Sequence, residues 1–403
     1  MKIHLDKTNI VKPMVMYWIV LVVYKAFFPL DAKSTVDLVI KSLLLLYLIF
    51  SFIFYPSGKV GIKAIFFPFV LCLLIPFLHE SYTAKNVIIY AFVIIFTFLT
   101  MGNTKQYIIT KDQLIWFYNT VIIVMVIASI YSAVFDTSKF LSVSGYTSAY
   151  GNELKSFFDS SHIYGLYLSG AIIACLICLD QVKEISKRKY YYISLILLIP
   201  NLILTFSRTA IFSTAVFGIV YILLGKNKIL KRSVIILSIA ASIVVLTNDA
   251  VQKFLFSIVF KAGNMAGRDT LLNASMNIYN QLLIIDKIFG IGFTEVREEL
   301  VSLTGWESAH NAYVEILLAF GILGIIWIFG LFFFLLFKYI RLFAIDKKWS
   351  VDFLCLLIWC FAMMLTNTFI IFTSSVDSYF LTIFAIVVPQ FYANTLLYES
   401  SIQ

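Results

Sequence analysis

Tyr190 to Gly225 reads YYYISLILLIPNLILTFSRTAIFSTAVFGIVYILLG and lies between two basic clusters, Lys183/Lys187/Arg188/Lys189 and Lys226/Lys228/Lys231/Arg232. As a single helix rising about 1.5 Å per residue it would exceed about 50 Å, well beyond a hydrocarbon core of about 30 Å. Basic clusters beside apolar runs remain on the cytoplasmic side of a membrane. A stretch anchored inside at both ends must therefore cross, turn and return. Pro200 and Ser207-Arg208-Thr209 are the two candidate turning points. The second divides the stretch in half, which predicts spans over 190–206 and 209–225 and places Arg208 at the outer face.

The rest of the chain extends this pattern. Of 403 residues, 61% are hydrophobic and 13% charged, against roughly half and a quarter in a soluble domain. Solid apolar runs exclude a transmembrane barrel, whose strands alternate over about ten residues. The runs predict an all-α polytopic membrane protein with about twelve transmembrane helices. They lie near 13–30, 38–55, 62–78, 86–101, 113–135, 162–180, 190–206, 209–225, 233–247, 312–337, 352–372 and 378–397. Helices one to nine then occupy 1–247, a large polar loop 248–310, and helices ten to twelve 311–403.

The formal charge of +9 bears on orientation and gives no reason to invoke nucleic acid. This arrangement puts most lysines and arginines on the cytoplasmic side and leaves Lys33, Lys85, Lys139, Lys155 and Arg208 in short outer loops. Both termini are then cytoplasmic and the 248–310 loop faces outward. Met1–Lys12 is polar and the first span lacks a small-residue cleavage site, so no cleaved signal peptide is expected. The cysteines all fall within apolar runs. Cys175-Leu176-Ile177-Cys178 has metal-ligand spacing but no polar surroundings, and buried thiols are the better reading.

The outer loop carries its own pattern. Leu272, Met276, Tyr279 and Leu283 recur at helical spacing, with Asn273, Asn277 and Asn280 on other faces. This predicts an amphipathic helix lying on the membrane or capping the bundle. Gly290-Ile291-Gly292 turns the chain, and Thr294 to Leu303 forms a short acidic helix. Three residues stand at matching places: Arg208 at the outer turn, Arg268 opening the amphipathic helix, and His310 opening a span.

A guanidinium presents a fork of donors that matches phosphate, so Arg208 and Arg268 suit a lipid pyrophosphate. An ordinary interfacial arginine is the plain alternative for each. A helix N-terminus favours neutral imidazole over imidazolium, and neutral His310 can take a proton from a sugar hydroxyl. The plain alternative is a histidine that merely caps the helix. Glu315 lies inside the same span and needs a partner, Arg208 or Arg268 being the nearest in this scheme. Lys25 and Lys41 are read chiefly as snorkelling, with a place on the substrate path as the alternative. Asp159 and His162 stand where they can meet substrate or simply start a helix. No Asp-x-Asp pair and no His/Asp/Glu cluster with metal spacing occurs. With pyrophosphate as leaving group, arginines can stand in for a metal, and neither metal nor cofactor is expected.

At these residues the chain resembles the bacterial O-antigen polymerase and O-antigen ligase superfamily. The resemblance is carried by Arg268, Gly290-Ile291-Gly292, His310-Asn311-Ala312-Tyr313, Phe320-Gly321-Ile322-Leu323-Gly324 and, upstream, Leu204-Thr205-Phe206-Ser207-Arg208-Thr209-Ala210. It covers about 200–335; the first five spans match in hydropathy alone. The family often has a tryptophan soon after the loop arginine, where this chain has Leu271, Leu272 and Met276. The resemblance implies a metal-independent glycosyltransferase of the GT-C type in the cytoplasmic (inner) membrane, acting in surface polysaccharide (lipopolysaccharide or capsule) biosynthesis. His310 would be the base, with Arg208 and Arg268 on the pyrophosphate. It implies an undecaprenyl-pyrophosphate-linked oligosaccharide as substrate and a chain-length regulator as partner protein. Polymerase is the first reading and ligase the second. A flippase or transporter is the reading from another class, although no internal repeat supports it.

Overall fold

The computed structural model describes residues 11–27, 38–48, 74–78, 84–101, 109–136, 153–225, 268–365, 367–373 and 375–402. Among these residues all regular structure is helical. The expected span 233–247, residues 62–73 of another and the 248–267 part of the loop lie outside them, as do the side chains of Lys25 and Arg268. The chain divides into two compact units, one of Met1–Phe117 with Arg268–Gln403 and one of Tyr118–Gly267. Among the described residues the α-helices before residue 136 are α1 (Val11–Phe27), α2 (Leu38–Leu48), α3 (Ala84–Met101) and α4 (Lys111–Phe135).

In the Tyr118–Gly267 unit, α5 (Ser161–Gln181), α6 (Ile185–Leu204) and α7 (Arg208–Leu224) follow the distal part of α4. The Ser160 hydroxyl accepts the Ile163 N–H (3.2 Å) and caps α5, as serine does at a helix start. Helix α6 continues past Pro200 to Leu204. Beside the proline, Asn201 donates to the Leu197 carbonyl (2.9 Å) and accepts the Tyr164 hydroxyl (2.9 Å). The reversal comes at Thr205–Ser207, the turning point chosen from the sequence. Lys187, Arg188 and Lys189 form the first turns of α6 and not a loop before it.

The other unit continues with α8 (Arg268–Gln281), α9 (Ile284–Phe289), α10 (Phe293–Thr304), α11 (Ala312–Leu342), α12 (Lys347–Leu365) and α13 (Val376–Ser400). Asp346 accepts the amides of Lys348 (3.0 Å) and Trp349 (3.2 Å), so α12 begins there and not at 352. It packs antiparallel on α11, with Ser350 donating to the Tyr339 carbonyl (2.6 Å) at one end and Tyr313 to the Phe361 carbonyl (3.1 Å) at the other. Helix α13 contains a π turn, Ile383–Val387, in which the Val388 amide reaches back to Ile383. Proline at 389 lacks an amide proton and has no helical donor to lose.

Among the described residues five helices, α4, α5, α11, α12 and α13, are long and apolar enough to cross a membrane, and the chain is a multi-pass membrane protein. The surface of α11 agrees. Ile322, Ile326, Phe329, Phe333 and Phe337 form an exposed apolar stripe at helical spacing, which costs nothing against lipid and much against water. No large exposed hydrophobic residue lies between Ala312 and Phe320, where α8, α9 and α10 pack on the helix. The stripe begins directly after Gly321, which breaks α11 with φ +64° and ψ −160°.

Helix α8 is amphipathic, as its periodicity leads one to expect. Leu271, Ser275 and Ile278 are its buried face, while Leu272 (41% exposed) and Met276 (37%) point out of the protein. The apolar stripe read from the sequence is the outer one, the orientation of a helix that lies on a membrane.

Candidate functional site

The Gly-Ile-Gly turn and the glycine-rich span are partners. Breaking α11 at Gly321 deprives the Leu318 and Ala319 carbonyls of their helical donors, and the Ile291 (3.0 Å) and Gly292 (3.1 Å) amides replace them. An unsatisfied carbonyl at that depth would cost several kcal/mol, roughly. The approach is as close as backbones allow. A Cβ on Gly290 would sit 2.3 Å from the Ala319 carbonyl atoms, and one on Gly321 would sit 2.3 Å from the Ile288 oxygen. Both glycines also have left-handed φ, +85° and +64°. Below the junction Tyr90, Phe293 and Phe320 pack together with centroids 5.1–6.2 Å apart. These contacts fix the half-helix Ala312–Phe320 against α3 and α10.

His310 immediately precedes this half-helix. Capping falls to Asn311, whose side chain accepts the Tyr313 (3.0 Å) and Val314 (3.2 Å) amides. His310 therefore has no capping duty. Its backbone is left-handed, φ +53°, a conformation that histidine adopts more readily than most residues but at some cost. Trp306 meets the imidazole edge to face at 5.8 Å. Behind it the Glu315 carboxylate accepts the Ala309 amide (2.9 Å), pinning the strained turn from inside the helix. Within its own unit the described partner of Glu315 is thus a backbone amide.

Glu315 also lines a cavity of about 610 Å³ bounded by α2, α3, α10, α11 and the loop leading into α13. Arg297, paired with Glu307, forms one wall; Lys41, Asn86 and Asp377 stand on others. Asn86 donates to Thr294 (2.9 Å), which ties α3 to α10 across the rim. The N-terminal ends of α3, α11 and α13 all open here. Lys41 thus lines a cavity. Arg297 and Asp377 were not singled out by sequence, one lying in an acidic helix and the other at an ordinary helix start.

In the Tyr118–Gly267 unit Arg208 is the first residue of α7, partly buried, after a tight turn in which Phe206 has φ +50°. Ser207 is fully buried because Gly165 of α5 lets it in; a Cβ there would lie 2.7 Å from the Ser207 Cβ. His162 Nδ1 lies 3.4 Å from the Ser207 hydroxyl, beside Arg208 in sequence. The turn is held further by the Leu154 amide donating to the Leu204 carbonyl (3.0 Å). His162 therefore stands at the arginine's turn and does more than open α5. Arg268 opens α8, as expected; its side chain lies outside the described residues.

No curated protein matches the chain. The family model for O-antigen ligase matches residues 193–329, about a third of the chain, from within α6 to the middle of α11. That segment holds Arg208, Arg268, His310 and both glycine motifs. Over residues 193–329 the chain is thus similar to the O-antigen ligase family, in accord with its resemblance to the O-antigen polymerase and ligase superfamily.

Proposed function

We propose that this protein is a polysaccharide polymerase of the outer side of the cytoplasmic membrane. It transfers a glycan, an O-antigen or capsule repeat unit, from undecaprenyl pyrophosphate to a hydroxyl of the next lipid-linked repeat unit. The acceptor oxygen attacks the anomeric carbon while the bond from that carbon to the pyrophosphate oxygen breaks. His310 takes the hydroxyl proton, and the pyrophosphate departs on its lipid with its charge held by Arg208 and Arg268. The observation that carries this reading is the state of His310. It is excused from capping by Asn311 and held in a left-handed turn by Glu315, at the mouth of a half-helix docked on the Gly-Ile-Gly turn.

The arrangement in the bilayer belongs to the same proposal. The cavity end of the bundle faces outward as part of the 248–310 loop and its neighbours, about twelve spans cross the membrane, and both termini are cytoplasmic. No metal takes part. A chain-length regulator is the expected partner protein.

The ligase reading has one specific support, the match of residues 193–329 to the O-antigen ligase family. Donor chemistry is common to both; only the acceptor differs, a lipid A core in place of a second carrier-linked unit. Deleting the gene separates them. A polymerase mutant displays single repeat units at the surface, whereas a ligase mutant accumulates full-length polymer on the carrier. Unchanged polymer in the mutant sinks both readings.

A further inference from the structure

Resting on the transferase reading, we infer that the cavity between α2, α3, α10, α11 and α13 is the subsite for the acceptor sugar. Arg297 and Asp377 are its recognition groups, and Glu315 is the positioning residue that joins it to His310. The argument begins with the lining. Carboxylates at Glu315 and Asp377, the Arg297 guanidinium and the Asn86 amide supply both acceptors and donors around one space. A sugar's hydroxyls are donors and acceptors at once, so this mixture of acids, cations and an amide matches them on both counts. Phe293 and Phe369 add apolar surface for the C–H faces of a ring. At about 610 Å³ the space falls within the roughly 300–1,000 Å³ of pockets that enclose small ligands, enough for a short oligosaccharide.

Sugar hydroxyls are present on donor and acceptor alike, and the position of Glu315 favours the acceptor. One of its oxygens is held by the Ala309 amide, one residue from His310. A sugar held by this carboxylate's cavity lies next to the base that must reach its hydroxyl. The pyrophosphate end of the donor, by contrast, requires cations unopposed by acids.

The test separates the two substrates. The repeat-unit oligosaccharide on an octyl aglycone can accept but cannot donate. The lipid-pyrophosphate repeat unit with its acceptor hydroxyl methylated can donate but cannot accept. With the purified full chain, Asp377→Asn and Arg297→Gln should raise the KM for the octyl glycoside about tenfold or more, the effect of losing a hydrogen bond to a charged group. The donor KM should stay within about twofold. Glu315→Gln keeps an oxygen for the Ala309 amide, so it should raise acceptor KM at nearly constant kcat, whereas Glu315→Leu should lower kcat as well. Ser308→Trp, at the cavity rim, tests occupancy without altering a charge and should abolish binding of the octyl glycoside measured by calorimetry. Variants that shift donor KM alone, or neither KM, overturn the subsite. If wild-type protein transfers nothing, the transferase reading fails, and calorimetry decides the cavity by itself. Octyl glycoside bound by wild type and weakened by Ser308→Trp keeps it as a sugar site, and no binding removes it.

Discussion

The Ile291 amide donates to the Leu318 carbonyl (3.0 Å), a carbonyl left without a helical donor by the break at Gly321. Two motifs about thirty residues apart thereby become one structural device. The turn closes the break, and the break admits the turn. Its consequence is a half-helix whose N-terminal end, with His310 and Glu315, is held at the cavity while the rest of α11 presents its apolar stripe outward.

Glycine at 290 should be irreplaceable for stability. Gly290→Ala puts a Cβ 2.3 Å from the Ala319 carbonyl atoms at φ +85°, so about 2 kcal/mol or more should be lost. Gly330→Ala, within α11 and with nothing within 4 Å of the added carbon, should be neutral or stabilising by up to about 1 kcal/mol. Melting of the two variants in detergent checks the contrast; equal melting temperatures would refute the docking.

Asn311 and His310 should divide stability from activity. Asn311→Ala removes the cap of α11 and should cost about 1 kcal/mol. His310→Asn keeps a residue that tolerates left-handed backbone, so melting should barely change while transfer falls about a hundredfold or more. A His310→Asn protein with wild-type transfer would remove the imidazole from the reaction.

Arg208 should act through the geometry of its fork. Arg208→Lys retains charge but loses bidentate donation, and the donor KM should rise roughly tenfold with little change in acceptor KM. His162→Ala, which removes the ring beside Ser207, should give a smaller change in the same parameter. Acceptor-only effects from either substitution would place this turn elsewhere in the mechanism.

The outer apolar surface of the cap should contact lipid. Leu283, Ile284 and Ile285 are 70%, 79% and 60% exposed. In membrane vesicles a cysteine at Ile284 should resist a membrane-impermeant maleimide, and one at exposed Glu298 should react from the outer side. Equal labelling of both would detach the cap from the bilayer.

Much of this was legible in the sequence, and the misses have physical causes. The return at Ser207-Arg208 follows from the length of an apolar stretch anchored at both ends. Gly290-Ile291-Gly292 and Phe320-Gly321-Ile322-Leu323-Gly324 were visible as motifs, but no local pattern says that one supplies donors for the other. Periodicity gave α8 as amphipathic and left open whether its apolar stripe faces lipid or the bundle, because lipid is as apolar as a protein core. Leu271, Ser275 and Ile278 form the buried side because Ser275 donates to its own helix, at the Leu271 carbonyl (2.7 Å), and needs no other partner. Arg297 escaped notice because its neighbours Glu295, Glu298 and Glu299 make the helix read as a solvated face. Its place on the cavity wall comes from α10 docking on α11, a contact between elements with no local signature.

The most direct measurement is reconstitution: purified protein, a synthetic lipid-pyrophosphate repeat unit, no nucleotide and no divalent metal. A ladder of polymer that disappears with His310→Asn is the predicted result. An unreacted substrate, or a ladder that the His310→Asn protein makes equally well, would contradict the account.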